Sequence, residues 1–233
     1  MGIGIRSWLI AVTACSQFGL NQGSPEPVRF PSGDISLAGE IEFPPGSGPF
    51  PAVVLVHGSG PATRAGDAVA GLELLARHSR IDPTRLGLAG GSQAGWIIPN
   101  AAARFPVRFS VMLSGPLVSV GEENHFSRAF EGSTLPLDKV DSVMATFSGP
   151  KGYDPIGDIL TMKGEAYWVL GGQDRSIPAV RSAQLADSLI RALNRPKWRA
   201  LLLLSGDHSL FGPDGRSLDV FPPMQSWLDL VLR

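Results

Sequence analysis

The chain has 233 residues, 43% of them hydrophobic, and a formal net charge of -1, enough to fill one good core in a single domain. With no basic or acidic block, nucleic acid is excluded as an expected partner. Gly (28) and Pro (20) together make up about a fifth of the chain against an ordinary share of about 12%, which excludes a helical bundle and calls for many turns.

Residues 1–14 carry Arg6, then the apolar run Trp8-Leu9-Ile10-Ala11-Val12, and lead through Thr13-Ala14 into Cys15, the one cysteine of the chain. The stretch resembles a bacterial lipoprotein signal, which implies removal of residues 1–14, lipidation of Cys15, and an exported chain that touches a membrane only through that anchor. If it is not a signal, the chain stays in the cytoplasm. A single cysteine leaves no intrachain disulfide, and no other stretch is long enough to span a bilayer. Residues 15–27, polar with two prolines toward the end, read as a tether.

The domain is expected over residues 28–233. Val28-Arg29-Phe30 and the alternating Ile35, Leu37, Ile41 and Phe43 flank a turn at Ser32-Gly33-Asp34 and predict a hairpin. Pro51-Ala52-Val53-Val54-Leu55-Val56 is a continuous apolar run, expected as a strand covered on both faces. It opens into His57-Gly58-Ser59-Gly60-Pro61. Such a glycine-rich turn at a strand end can aim free backbone N–H groups at developing negative charge, so it is expected to form one side of an oxyanion hole, with His57 structural. From Asp67 a helix follows, with Val69, Leu72, Leu75 and Ala76 at helical spacing. It carries His78 toward solvent and reaches Asp82-Pro83.

Leu86-Gly87-Leu88-Ala89-Gly90-Gly91-Ser92-Gln93-Ala94-Gly95-Trp96 reads as strand, sharp turn and helix. The turn lifts Ser92 out of the sheet in front of a helix N-terminus, a geometry that suits a nucleophile. The G-x-S-x-G pattern is met with Ala94 at its last position and Gly95 one step later. Ser59 is the rival, disfavoured because no helix follows it at elbow spacing. The helix to Arg104 contains Pro99, and Phe109 to Leu113 is the next strand. Residues 117–163 contain no clear parallel strand and are expected to form a lid, in which His125, Phe126 and Phe130 pack or line a pocket. Ala166 to Leu170 returns to strand and ends at Gly171-Gly172-Gln173-Asp174, with a helix from Pro178 to about Leu193. Trp198 to Leu204 is a last strand, ending at Ser205-Gly206-Asp207-His208, and Trp227, Leu228 and Val231 face a final helix inward.

A serine hydroxyl needs a histidine to take its proton and a carboxylate to orient that histidine. Ser92, Asp174 and His208 each follow a strand and occur in the order Ser, Asp, His. Asp207 and Asp214 remain alternative acids, although Asp207 adjoins His208 and is poorly placed to face its ring.

On these motifs, together with Leu37-Ala38-Gly39, Arg64, Ser114-Gly115-Pro116 and Pro178, residues 28–233 resemble the α/β-hydrolase superfamily. The likeness is to bacterial serine esterases similar to dienelactone-hydrolase-like and acyl-peptidase-like enzymes. It implies a three-layer, mostly parallel α/β sandwich with Ser92 as nucleophile, His208 as base and Asp174 as orienting acid. It also implies backbone oxyanion donors at Gln93, Gly58 and Ser59, a small-molecule ester as substrate, and no cofactor or metal. A peptide or acylamino substrate, or a scaffold that has lost catalysis, are the alternatives. The chain departs from the family between the His-Gly turn and the next helix, where a central strand and a helix are missing. The N-terminal hairpin is expected to close that gap by pairing beside Val53 to Val56; otherwise an unpaired edge prone to aggregation remains.

Overall fold

The computed structural model describes residues 10–11, 25–58 and 64–233. Cys15 and Ser59 lie outside the described residues, as do all of the expected leader except Ile10 and Ala11 and most of the expected tether. The main sheet has five parallel strands in the order β4(Phe50–Val56), β5(Ile81–Gly91), β6(Phe109–Leu113), β7(Glu165–Gly171) and β8(Arg199–Leu203). The strands are added in sequence order and in one direction, so right-handed crossovers put their helices on one face. That face is covered by α1(Ala65–Ala76), α2(Ala94–Arg104) and α6(Ala179–Ala192), whose small and aliphatic residues share one core with Leu86, Leu88, Trp168 and Leu170. Leu86 and Leu88 are fully buried, each contributing about 1.5–3 kcal/mol. Residues 82–85 leave the β4–β5 register between the Phe50 and Ala52 pairings, and the Asp82 carboxylate holds that bulge through the amide and hydroxyl of Thr84 and the guanidinium of Arg85.

The N-terminal hairpin does not join this sheet. β2(Glu26–Ser32) and β3(Ile35–Glu42) pair antiparallel, and β1(Ile10–Ala11), inside the expected leader, runs parallel to β3. Strand begins at Glu26, within the span expected as a tether. The hairpin instead lays Phe30, Leu37 and Ile41 into the core shared with Ala52, Val54 and Val56, and Ser32 Oγ donates to Asp67 Oδ1 of α1 at 2.6 Å. Apolar burial of one hairpin face won over backbone pairing. The expected pairing beside Val53 to Val56 is thus corrected: among the described residues, β4 is the sheet edge. His78 is also not a solvated side chain. Its ring packs on Phe43, with centroids 4.9 Å apart, and Nδ1 accepts the Arg80 amide.

The opposite sheet face carries, among the described residues, the single helix α7(Phe221–Val231), with Trp227 and Val231 inward. Beside it an apolar trough of about 350 Å³ lies open, floored by Val53, Leu55, Ala89 and Val111 and walled by Met224 and Leu228. Val53, half-buried, points into it from the edge strand. Edge strands with apolar side chains template pairing with other chains. Concentration-dependent self-association is expected in sedimentation velocity, and Val53→Lys is expected to reduce it while shifting Tm by only a few degrees.

The expected lid contains α3(Val120–Phe130), a 3-10 turn at Leu137–Lys139, α4(Val140–Ala145) and α5(Ile156–Thr161). Its helix α3 starts on a capping box, the Ser119 hydroxyl accepting from the Glu122 amide while the Glu122 carboxylate accepts from the Ser119 amide. Phe126, Phe130 and Met144 form a small core of their own, separate from the two main ones. His125 serves that packing, with Nε2 within 2.9 Å of the Val143 carbonyl and its ring on Phe147.

Candidate active site

Ser92 stands at the end of β5, where the chain turns into α2 with a φ of +54°. A serine in the left-handed region is strained and persists only where its surroundings hold it. Here its amide donates to the Leu113 carbonyl of β6 at 2.9 Å. The small neighbours are required by close approach: a Cβ on Gly90 would stand 2.5 Å from the Val56 carbonyl oxygen, and one on Gly95 would stand 2.6 Å from Gly115 Cα. Strand and helix pack so tightly that the serine is pushed outward.

His208, in the loop after β8, bridges to both partners. Its Nδ1 lies 2.8 Å from Asp174 Oδ2 and its Nε2 lies 3.1 Å from Ser92 Oγ. With Nδ1 donating to the carboxylate, Nε2 is left to accept the serine hydroxyl. Asp174 is itself buried, and its second oxygen accepts the amides of Ser176 and Ile177 at 2.8 and 3.0 Å. The three residues predicted from separate strand ends are therefore one hydrogen-bonded chain. The alternatives are placed elsewhere: Asp207 caps its own turn through the amides of Ser209 and Phe211, and Asp214 pairs with Arg216.

The hydrogen bond to Asp174 raises the pKa of His208 above the ordinary imidazole value; burial opposes this, and the charges of Asp174, Glu131 and Asp207 add to it. Two carboxylates that the sequence did not announce border the site. Glu123 on α3 has its pKa pushed up to about 7, first by burial and then by the charge of Glu131, and both Asp174 and His208 lie within its electrostatic reach. Glu123, Ser127 and Glu131 fall at i, i+4 and i+8, one face of a helix, and Ser127 Oγ donates to Glu131 Oε2. That spacing is readable in the sequence. What it faces is not.

Of the expected oxyanion donors, the Gln93 amide is engaged by the Gly58 carbonyl at 3.3 Å, a long bond, and Gly58 packs its backbone within reach of Gly91. Among the described residues, no group of three or more His, Cys, Asp or Glu is arranged to hold a metal ion, and no helix is long and apolar enough to cross a membrane.

No family model matches the chain. Over 39 residues it is 62% identical to esterase EstD of Thermotoga maritima, a match spanning 16% of this chain and 10% of that one. Its structure resembles the acylaminoacyl peptidase of Pyrococcus horikoshii, with a TM-score of 0.62 and 18% identity over 82% of this chain and 38% of that one. It also resembles the Pyrococcus furiosus esterase Pf2001, with a TM-score of 0.62 and 14% identity over 98% and 97% of the two chains. For 2,6-dihydroxy-pseudo-oxynicotine hydrolase the TM-score is 0.65, at 15% identity over 89% and 68%. The chain thus spans about a tenth of the length of EstD and under two-fifths of the Pyrococcus horikoshii peptidase. Likeness at 14–18% identity speaks for architecture alone, and in that architecture the chain has the α/β-hydrolase fold.

Proposed function

We propose that the chain is a serine hydrolase of carboxylic esters. The observation that carries this reading is the Asp174–His208–Ser92 hydrogen-bonded chain, with the serine held at a strained strand-to-helix turn. Ser92 Oγ attacks the acyl carbonyl as its proton passes to His208 Nε2, and Asp174 stabilises the imidazolium that results. The Gln93 amide exchanges its long bond to Gly58 for the developing oxyanion, joined by the backbone of Gly58 and Ser59. His208 returns the proton to the leaving alcohol. Water, deprotonated by the same nitrogen, then cleaves the acyl-enzyme and frees the acid and Ser92.

The test is treatment of folded protein with a fluorophosphonate, followed by peptide mass mapping. A single adduct on Ser92, lost in His208→Ala, is the expected result. No adduct on folded protein favours a scaffold without catalysis, and an adduct on Ser59 moves the nucleophile. Faster turnover of aminoacyl amides than of aryl esters would favour the peptidase reading.

Glu123 and Glu131 make this cleft unwelcoming to anionic substrates. At pH 8 the Glu123 carboxyl is ionised, and at pH 6 it is largely protonated. Glu123→Gln is expected to raise kcat/KM for an aryl succinate monoester about fivefold at pH 8, the size of a ~1 kcal/mol charge interaction. The gain should fade toward pH 6 and be absent for aryl acetate.

A further inference from the structure

We propose that Arg175 is a positioning residue, a latch that ties the helical segment over the site to the loop carrying Asp174 and so sets the width of the substrate cleft. The kinetic part of this inference rests on the hydrolase reading; the structural part does not. The Arg175 guanidinium nitrogen Nη1 donates toward three carbonyls, those of Phe130 at 3.4 Å, Ser133 at 3.1 Å and Leu135 at 3.0 Å. Phe130 ends α3, where carbonyls lack helical partners and the helix dipole favours a cation. The adjacent Ser176 reaches the same place, its Oγ donating to Glu131 Oε1 at 3.3 Å. Both residues follow Asp174 directly, and the Asp174 oxygen that does not face His208 accepts the Ser176 amide. One tight turn therefore holds the acid on one side and the end of α3 on the other.

Packing joins the far end of the segment to the body, where Ile159 and Met162 lie in the main core, whereas α3 and α4 share a cluster of their own. The segment's apolar cluster of Phe126, Phe130 and Met144 is separate from both main cores. A cavity of about 170 Å³ lies between it and the body, with Phe126, Leu137 and Val140 on one side and Gly172, Asp174 and Ala179 on the other. The start of the segment is fixed differently, by Trp96 Nε1 donating to the Val118 carbonyl and by the Leu117 amide donating to Ser182 Oγ. A helix anchored at its first turn and latched at its last swings when the latch goes. Glu123 and Glu131, which border the site from α3, move with it.

The experiment compares full-length wild type with Arg175→Met and Arg175→Lys. Hydrogen exchange by mass spectrometry is read over residues 126–137 and, as reference, over 94–104. Steady-state kinetics use aryl acetate, and fluorophosphonate labelling of Ser92 is timed. In Arg175→Met, exchange over 126–137 is expected to rise about tenfold with 94–104 unchanged. KM is expected to rise about tenfold with kcat and labelling rate within about twofold. Arg175→Lys keeps the charge on a shorter side chain and should fall between; if Arg175→Met does not fold, the lysine variant carries the same exchange test. Unchanged exchange over 126–137 overturns the latch. So does a fall in kcat and labelling rate at constant KM, which would place Arg175 on the acid rather than on the segment. Absence of labelling and turnover in wild type would sink the hydrolase reading, while the exchange result still decides the latch.

Discussion

Ser92→Ala is expected to lower kcat for short-chain aryl esters by at least about 10⁴-fold, with an unchanged circular dichroism spectrum. Removing the nucleophile from a triad that acts as a unit leaves only the catalysis that binding and the oxyanion donors supply, and losses of about 10⁶-fold are known for such changes. The substitution removes one oxygen and keeps the Cβ, so the turn and its φ of +54° present alanine with the same backbone demand that serine already meets. The Ser92 amide bond to Leu113 and the close contacts of Gly90 and Gly95 do not involve the hydroxyl. Stability should therefore stay within about 1 kcal/mol of wild type in urea titration. The lost bond from Oγ to His208 Nε2 leaves that nitrogen part-exposed, where water takes the place of the serine. Turnover retained within tenfold of wild type would move the chemistry to another residue.

Much of this site is legible in the sequence because each of its parts sits where an apolar run stops. Leu86 to Ala89, Tyr167 to Leu170 and Leu201 to Leu204 announce strands, and Ser92, Asp174 and His208 stand a few residues past their ends. In a parallel sheet those ends lie on one edge, so residues 34 and 116 positions apart meet. Two kinds of feature are not legible. The hairpin is one: its alternation of Ile35, Leu37 and Ile41 says that one face is buried, but not that burial is against β4's side chains rather than beside its backbone. The arrangement of α3 over the site is the other. Its start is written in the Ser119-Val120-Gly121-Glu122 capping box. Its end is held by Arg175 from 40 to 45 residues away, through backbone carbonyls that every residue type possesses. A contact to main chain leaves no pattern in side-chain identity.

Asp174→Asn separates the two jobs of that buried carboxylate and is expected to lower kcat about 10⁴-fold, or about 5 kcal/mol of transition-state stabilisation. Asparagine retains one oxygen, and the Asp174 oxygen that accepts the Ser176 and Ile177 amides has the stronger geometric claim on it. The amide nitrogen then faces His208 Nδ1. It is a donor, so Nδ1 must become the acceptor and the ring proton must move to Nε2. That nitrogen can no longer take the Ser92 proton, and the loop stays in place while the base is lost. The pH profile distinguishes this from a structural failure. In wild type the neutral form of His208 is the active one, and its pKa lies above the ordinary imidazole value chiefly because of the bond to Asp174. Activity therefore falls as pH drops through that raised pKa. In Asp174→Asn the bond and the charge are gone while burial still favours the neutral ring, so the acid limb of the residual activity should move to lower pH. Direct titration of His208 by NMR in both proteins measures the same displacement without substrate. An imidazole pKa that does not fall in the variant would mean that the 2.8 Å contact to Asp174 is not what holds the base.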